Sequence, residues 1–387
     1  MREGGDDSGR ASGFRRLGKH RLILTGAALV VLAAGLAVPL TRTDSDEAAA
    51  EPCRPLPAST RTLADDPAAA TRALDPGDDL ARLGTVRKLL VHERLCGDGA
   101  RVLGRVVEAA TRSSGPGKPH TLAQARSAYA VAAALDDEEL PEGLAPGVAR
   151  MVAEYIEDAA REDLLYDDVP LPAVSAQQSL PKPEGNAWLG DFLTSGDAHA
   201  AFPYTDRAAE ADADIEPLVA ELAKDPEAFA VLYDAERAYL AYYLERLTRQ
   251  GGDPAYRPSR GDMGPTGSVD LDLRDLAERV GSLMKHRADH ARRGTIPDLA
   301  AFDRAVREHT RGAFRPASRQ LDTRPPMGDI ADRPVAGPLS GDPMDGRHQL
   351  FTVLDRWAKE RGVPAQRATT MRQMMDDAYV LGLWLTF

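Results

Sequence analysis

His286 and His290 stand one helical turn apart in the stretch HRADH, the spacing at which two imidazoles share a face and can hold a metal ion. The glutamate that follows the first histidine in zinc peptidases is absent, and Arg287 stands there. A third ligand would have to come from the next helix, where His309 is the candidate. With a hairpin turning near Thr295, His309 lies at a height about 7 Å from His286 and about 14 Å from His290, counted at 1.5 Å per residue. That is a poor cage. His286 and His290 are weak metal candidates that read as surface histidines between Arg279 and Arg293, and no metal or other cofactor is expected.

Other chemistry is excluded more firmly. SLMK, Ser282 to Lys285, matches the S-x-x-K of penicillin-recognising acyltransferases, but the second motif fails. The chain has one asparagine, Asn186 in PEGNA, without a serine two residues before it, and no K-T-G triad. The alternating acids Glu210, Asp212, Asp214 and Glu216, and the group Asp270, Asp272 and Asp275, lack the fixed glycine and terminal glutamate of an EF-hand loop. They read as acids at helix starts. G-x-S-x-G, phosphate-loop and dinucleotide fingerprints are absent.

Two apolar stripes stand out. AFAVLYDAERAYLAYYLERL carries Tyr239, Tyr242 and Tyr243, and the last helix carries Met371, Met374 and Met375. Both stripes fit a helical core; Met faces also adapt to varied partners, so these six residues form the candidate partner-binding surface.

The elements that carry these residues are helical. Apolar residues recur at the helical period through Leu80–Leu90, with Gly97 as a C-cap, then after Asp98 (Val102, Leu103, Val106, Val107). Thr121 with Gln124 forms a capping box for LAQARSAYAVAAAL, and Asp225-Pro226-Glu227 opens the aromatic helix. Further helices are expected around Val148–Ile156, over 270–293 and 297–310, and over two last segments near Leu350–Trp357 and Met371–Leu381. No run of β-branched or aromatic residues alternates far enough to make a strand. The fold class is all-α, with long Pro-rich loops.

Leu22 to Leu40 is nineteen residues without an ionisable side chain, about 28 Å as a helix, close to the hydrocarbon thickness of a bilayer. Arg10, Arg15, Arg16, Lys19 and Arg21 precede it and Asp44, Asp46 and Glu47 follow, so the positive-inside rule places the N-terminus in the cytoplasm and the body outside. Nineteen residues exceed the usual 7–15 of a cleaved signal and favour an anchor, whereas a small-x-small site at Ala48–Ala50 would give a secreted form. The expected organisation is a cytoplasmic tail 1–21, a transmembrane helix 22–40, a Pro/Ala-rich linker 41–76, helical subdomains 77–163 and 206–387, an irregular connection 164–205 and an irregular loop 313–346.

Outside the cytoplasm, an even cysteine count favours a disulfide between Cys53 and Cys96, the only two in the chain. Residues 41–387 hold 42 Lys/Arg against 57 Asp/Glu, of chain totals 48 and 60, so the body is strongly acidic and repels nucleic acid. Abundant Ala, Arg, Asp and Pro with a single Asn read as the coding bias of a GC-rich bacterial genome. The expectation is an anchored protein of the bacterial cell envelope, held in the lipid bilayer through Leu22–Leu40, acting by binding an envelope protein. The rival expectation is an exported hydrolase, its site assembled between the helices and the loops 164–205 and 313–346.

Overall fold

The computed structural model describes residues 53–92, 94–115, 118–136, 138–160, 171–175, 197–202, 204–205, 209, 211, 213–246, 268–309 and 346–384. The membrane segment 22–40, the tail before it, loop 313–346 and most of the connection 164–205 lie outside the described residues. All described residues belong to the unit Pro52–Phe387.

Cys53 and Cys96 are joined by a disulfide, with Cα atoms 5.1 Å apart. A short parallel bridge continues it: Arg54 N donates to Arg94 O (2.9 Å) and Cys96 N to Arg54 O (3.0 Å). Inside the loop closed by this bond lie α1 (Ala58–Leu63), α2 (Pro67–Leu74) and α3 (Leu83–Leu90). The stretch 41–76, read from composition as a linker, thus holds two helices. α2 starts as helices do, with Asp66 accepting from Ala69 N (3.0 Å) and Pro67 at the first position, where its missing N–H costs nothing. Gly97 does not cap α3, which ends earlier at Leu90. Gly97 has φ +60° and turns the chain into α4 (Gly99–Thr111). Asp98 is the N-cap of α4 by position, but its carboxylate bonds Arg61 at 2.8 Å instead of the helix amides.

α5 (Leu122–Leu135) opens with the expected capping box, Thr121 and Gln124 bonding each other's backbone. Every residue from Ser127 to Leu135 is buried, as in a helix surrounded on all sides. Its alanines admit close neighbours: α2, α3, α4 and the ribbon formed by β1 (Ala173–Ser175) and β2 (Ala198–Ala200) all pack on it. The ribbon is antiparallel, with Val174 opposite His199. It departs from the strand-free expectation, because three-residue strands are too short to show an alternating pattern. α6 (Ala145–Glu154) crosses α4 at Gly104 and Gly147, where a Cβ on Gly147 would overlap the Gly104 backbone. The short α7 (Ile156–Ala159) follows without a gap.

The second half is built on α9 (Pro226–Arg246), preceded by α8 (Ile215–Leu222). Asp225 accepts from Ala228 N at 2.9 Å, the expected N-cap. α6 and α7 pack against α9, as do α10 (Ser268–Arg293), α11 (Leu299–His309) and α12 (Gly346–Arg361). α13 (Ala365–Trp384) lies along α10. Their backbones meet at Gly281 and Gly382, and Ser282 is buried beside that contact. Arg287 is buried against Asp303 and ties α10 to α11, its Nε donating at 3.0 Å. The described chain is mostly helical, as the sequence indicates. Among the described residues, no helix is long and apolar enough to cross a membrane.

Candidate active site

A cavity of about 580 Å³ opens where the two halves meet. α4 and α6 supply Glu108, Arg112, Arg150, Met151 and Glu154; the aromatic helix α9 supplies Glu227, Val231, Asp234, Ala235, Ala238 and Tyr239. Much of the chemistry comes from short segments beside the long helices. His120 precedes the cap of α5, Asp158 sits in α7, and Asp197 and His199 enter on β2. Asp197 and His199 are two apart on extended chain, which turns both to one face of the ribbon.

His120 is held from both sides. Its Nδ1 is 2.9 Å from Asp197 Oδ1 and its Nε2 is 3.1 Å from Glu154 Oε1, while its backbone N–H also donates to Asp197. A ring nitrogen facing a carboxylate must carry a proton to make that bond, and here both do, so the ring is an imidazolium. Burial alone would lower its pKa, but the hydrogen bonds and charges of Asp197 and Glu154 outweigh it and raise the pKa to about 9. For Asp197, burial raises the carboxyl pKa, and the bond to cationic His120 overrides it, leaving the value below the ordinary one. Tyr155 packs on the imidazole, ring centroids 4.6 Å apart, and donates its hydroxyl to Thr111 O at 3.0 Å. Burial holds the Tyr155 phenol protonated, its pKa well above the usual.

His199 has a different environment. Its Nδ1 lies 2.8 Å from Asp158 Oδ1, and both residues are buried, at 4% and 2% exposure. Asp158 Oδ2 accepts Ala200 N at 3.0 Å, so the carboxylate is fixed by the ribbon it orients. One carboxylate at Nδ1 places the proton there and directs the basic lone pair of a neutral ring to Nε2, the tautomer a general base needs. The rim of the cavity is a charge chain: Arg112 Nη1 bonds Glu108 Oε1 (3.1 Å), Arg150 bonds Glu227 and sits 3.6 Å from Glu108 Oε2, and His309 Nδ1 is 4.0 Å from Glu227 Oε2.

The residues singled out in the sequence go elsewhere. His286 Nε2 bonds Glu216 Oε1 at 2.7 Å, and His290 Nε2 donates to Ala220 O at 2.7 Å. Both therefore face α8 and are not surface histidines; His290 is buried, which lowers its pKa. They do not meet His309, and among the described residues no group of three or more His, Cys, Asp or Glu is arranged to hold a metal. Tyr239 lines the cavity and is buried, and Tyr243, Met371 and Met375 are buried in the core. Met374 is half-buried, and the Tyr242 side chain lies outside the described residues. Four of the six candidate partner-surface residues are thus core, because the stripes that carry them are covered by neighbouring helices. No motif in the sequence marks His120, Glu154, Asp158, Asp197 and His199 as a site. The available signals were the one-turn spacing of Glu154 and Asp158 and the two-residue spacing of Asp197 and His199, both too common in an acid-rich chain to point anywhere.

Comparison of the chain with family models, with curated proteins and with solved structures finds no match.

Proposed function

We propose that the protein is a single-pass, extracytoplasmic protein of the bacterial cell envelope whose helical body acts on a small polar substrate by acid–base catalysis, as a hydrolase. One observation carries this reading: the buried Asp158–His199 pair and the His120 imidazolium line the same cavity. In it, a water admitted with the substrate reaches the buried Nε2 of His199 and gives it a proton as the water oxygen attacks the substrate's electrophilic centre; Asp158 stabilises the imidazolium that results, and that proton then passes to the leaving group as its bond breaks. His120 is fully engaged with two carboxylates and acts as a positioning residue that holds the β2 entry against α6. The cavity includes Asp197–His199 from the connection 164–205, one of the two loops expected to contribute to an assembled site. Anchoring through Leu22–Leu40 and an outward-facing body rest on the charge pattern of the sequence, and the disulfide is in keeping with them.

The test is a panel of ester, amide, glycoside and phosphomonoester reporters with the full-length protein in detergent. Turnover of at least one, reduced at least a hundredfold in His199→Asn and retained in His286→Asn, is the expected result. The asparagine amide can replace Nδ1 toward Asp158 while removing the base. Absence of turnover throughout, or full activity in His199→Asn, overturns the hydrolase reading.

Action by protein binding has one observation in its favour: Trp384 is 74% exposed and Leu381 41% exposed at the end of α13. A partner captured from solubilised membranes and lost with Trp384→Ala would support it.

A further inference from the structure

A second cavity, of about 700 Å³, lies on the other side of the Glu108–Arg112 pair, which lines both. Its walls are α2, the stripe Arg105, Glu108 and Ala109 of α4 with Arg112 at its C-cap, and the first turn of α5. Those α4 positions fall at i, i+3 and i+4, so they share one face of the helix. Three arginines, Arg72, Arg105 and Arg112, line the cavity together with two acids, Asp75 and Glu108. Both carboxylates are held in ion pairs. Arg126, outside the lining, clamps Asp75 with Nε to Oδ1 at 2.8 Å and Nη2 to Oδ2 at 3.0 Å. Glu108 is shared between Arg112 and Arg150. Among the described residues, Arg72 and Arg105 are in no ion pair. The first turn of α5 adds the positive end of a 14-residue helix beside them. On a chain whose net charge is −12, this is a local reversal of sign.

We infer that this cavity is a binding site for the oxyanion group, carboxylate or phosphate, of a small molecule, held between Arg72 and Arg105 with Arg112 behind them. Guanidinium forks match such groups two bonds at a time, and the apolar floor of Ala64, Ala68 and Ala109 takes the carbon skeleton that carries them. A concave cleft between three helices fits a small molecule and not a bilayer surface. The inference stands independently of the hydrolase reading, since no residue of the His199 or His120 groups lines this cavity.

The experiment is calorimetric titration of the full-length protein in detergent with sodium phosphate and with sodium succinate, at ionic strength held constant with chloride. Saturable one-to-one binding of either probe is expected, weakened at least tenfold in Arg72→Gln and in Arg105→Gln and unchanged in Arg101→Gln, a control on α4 outside the cleft. Both altered side chains are exposed, so melting temperatures equal to that of the native protein are expected and are measured alongside. Failure of both probes to saturate, or an equal loss in Arg101→Gln, overturns the assignment.

Discussion

His120 Nε2 and Glu154 Oε1 stand 3.1 Å apart, and the other nitrogen of the same ring stands 2.9 Å from Asp197, so one cation fastens three segments far apart in sequence. The start of α5, the end of α6 and the entry to β2 converge on this ring. Removing its proton leaves two half-buried carboxylates facing each other across a neutral imidazole.

That arrangement makes stability depend on pH in a defined window. The folded pKa, about 9, lies above the ordinary value of 6.5, so the stabilisation is fully present below about pH 6.5 and is lost as pH rises through 9. At about 1.4 kcal/mol per pH unit, its size is about 3 kcal/mol. Urea midpoints are expected to fall between pH 6.5 and 9.5 in the native protein and to stay nearly level across that window in His120→Asn. An equal slope in both proteins would assign the effect to other groups.

Asp158→Asn is expected to disable His199 without removing it. An amide can donate to Nδ1, which reverses the tautomer and points a proton, in place of a lone pair, from Nε2. In enzymes where a carboxylate fixes the histidine tautomer, the same change costs roughly 10⁴-fold. The expected loss in kcat/KM here is at least a hundredfold on whichever reporter the native protein turns over. Unchanged kinetics would remove the pair from the mechanism.

Two glycines make a contrasting pair. A Cβ on Gly147 would overlap the Gly104 backbone, and neither helix can yield without parting α4 from α6. Gly147→Ala is expected to destabilise by more than about 2 kcal/mol, in the upper range of overpacking changes. A Cβ on Gly84, in α3, meets nothing within 4 Å. Gly84→Ala is expected to stabilise by about 0.5 to 1 kcal/mol through helix propensity and a less disordered unfolded chain. Urea unfolding of both variants, read against the native protein, checks the opposite signs.

Reduction of Cys53–Cys96 opens a loop with a sequence separation of 43. The chain-entropy model assigns such a bond about 4 kcal/mol. A melting temperature lowered by several degrees in dithiothreitol, matched by Cys53→Ser/Cys96→Ser, is the expected outcome. Equal melting temperatures would show that the bond contributes nothing to stability.

Much of the helical scaffold was legible because local signals sufficed. The Thr121–Gln124 box and the Asp225 cap mark α5 and α9 at the residues where they begin. The helical period also separated buried from exposed faces in α4. Legibility stopped where partners are distant. Gly281 and Gly382 are approached by each other's helices, and no local pattern shows that Ser282 is thereby covered. The candidate site is the extreme case: His120 meets acids 34 and 77 residues away, one at the end of a helix and one in the irregular connection, and no local pattern joins them. The paired histidines that drew attention, His286 and His290, each found a partner on α8.

The bond between Cys53 and Cys96 also decides where a pull enters the body. Tension arriving from the N-terminal side reaches Cys53, crosses the sulfurs to Cys96, and passes into α4, which begins at Gly99. The chain holding α1, α2 and α3 hangs beside that line and bears no load. Once the bond is reduced, the same force runs through those three helices in turn and peels them from α4 and α5 before it reaches the rest of the protein. The redox state of one cystine thus sets the order in which the body would come apart under force.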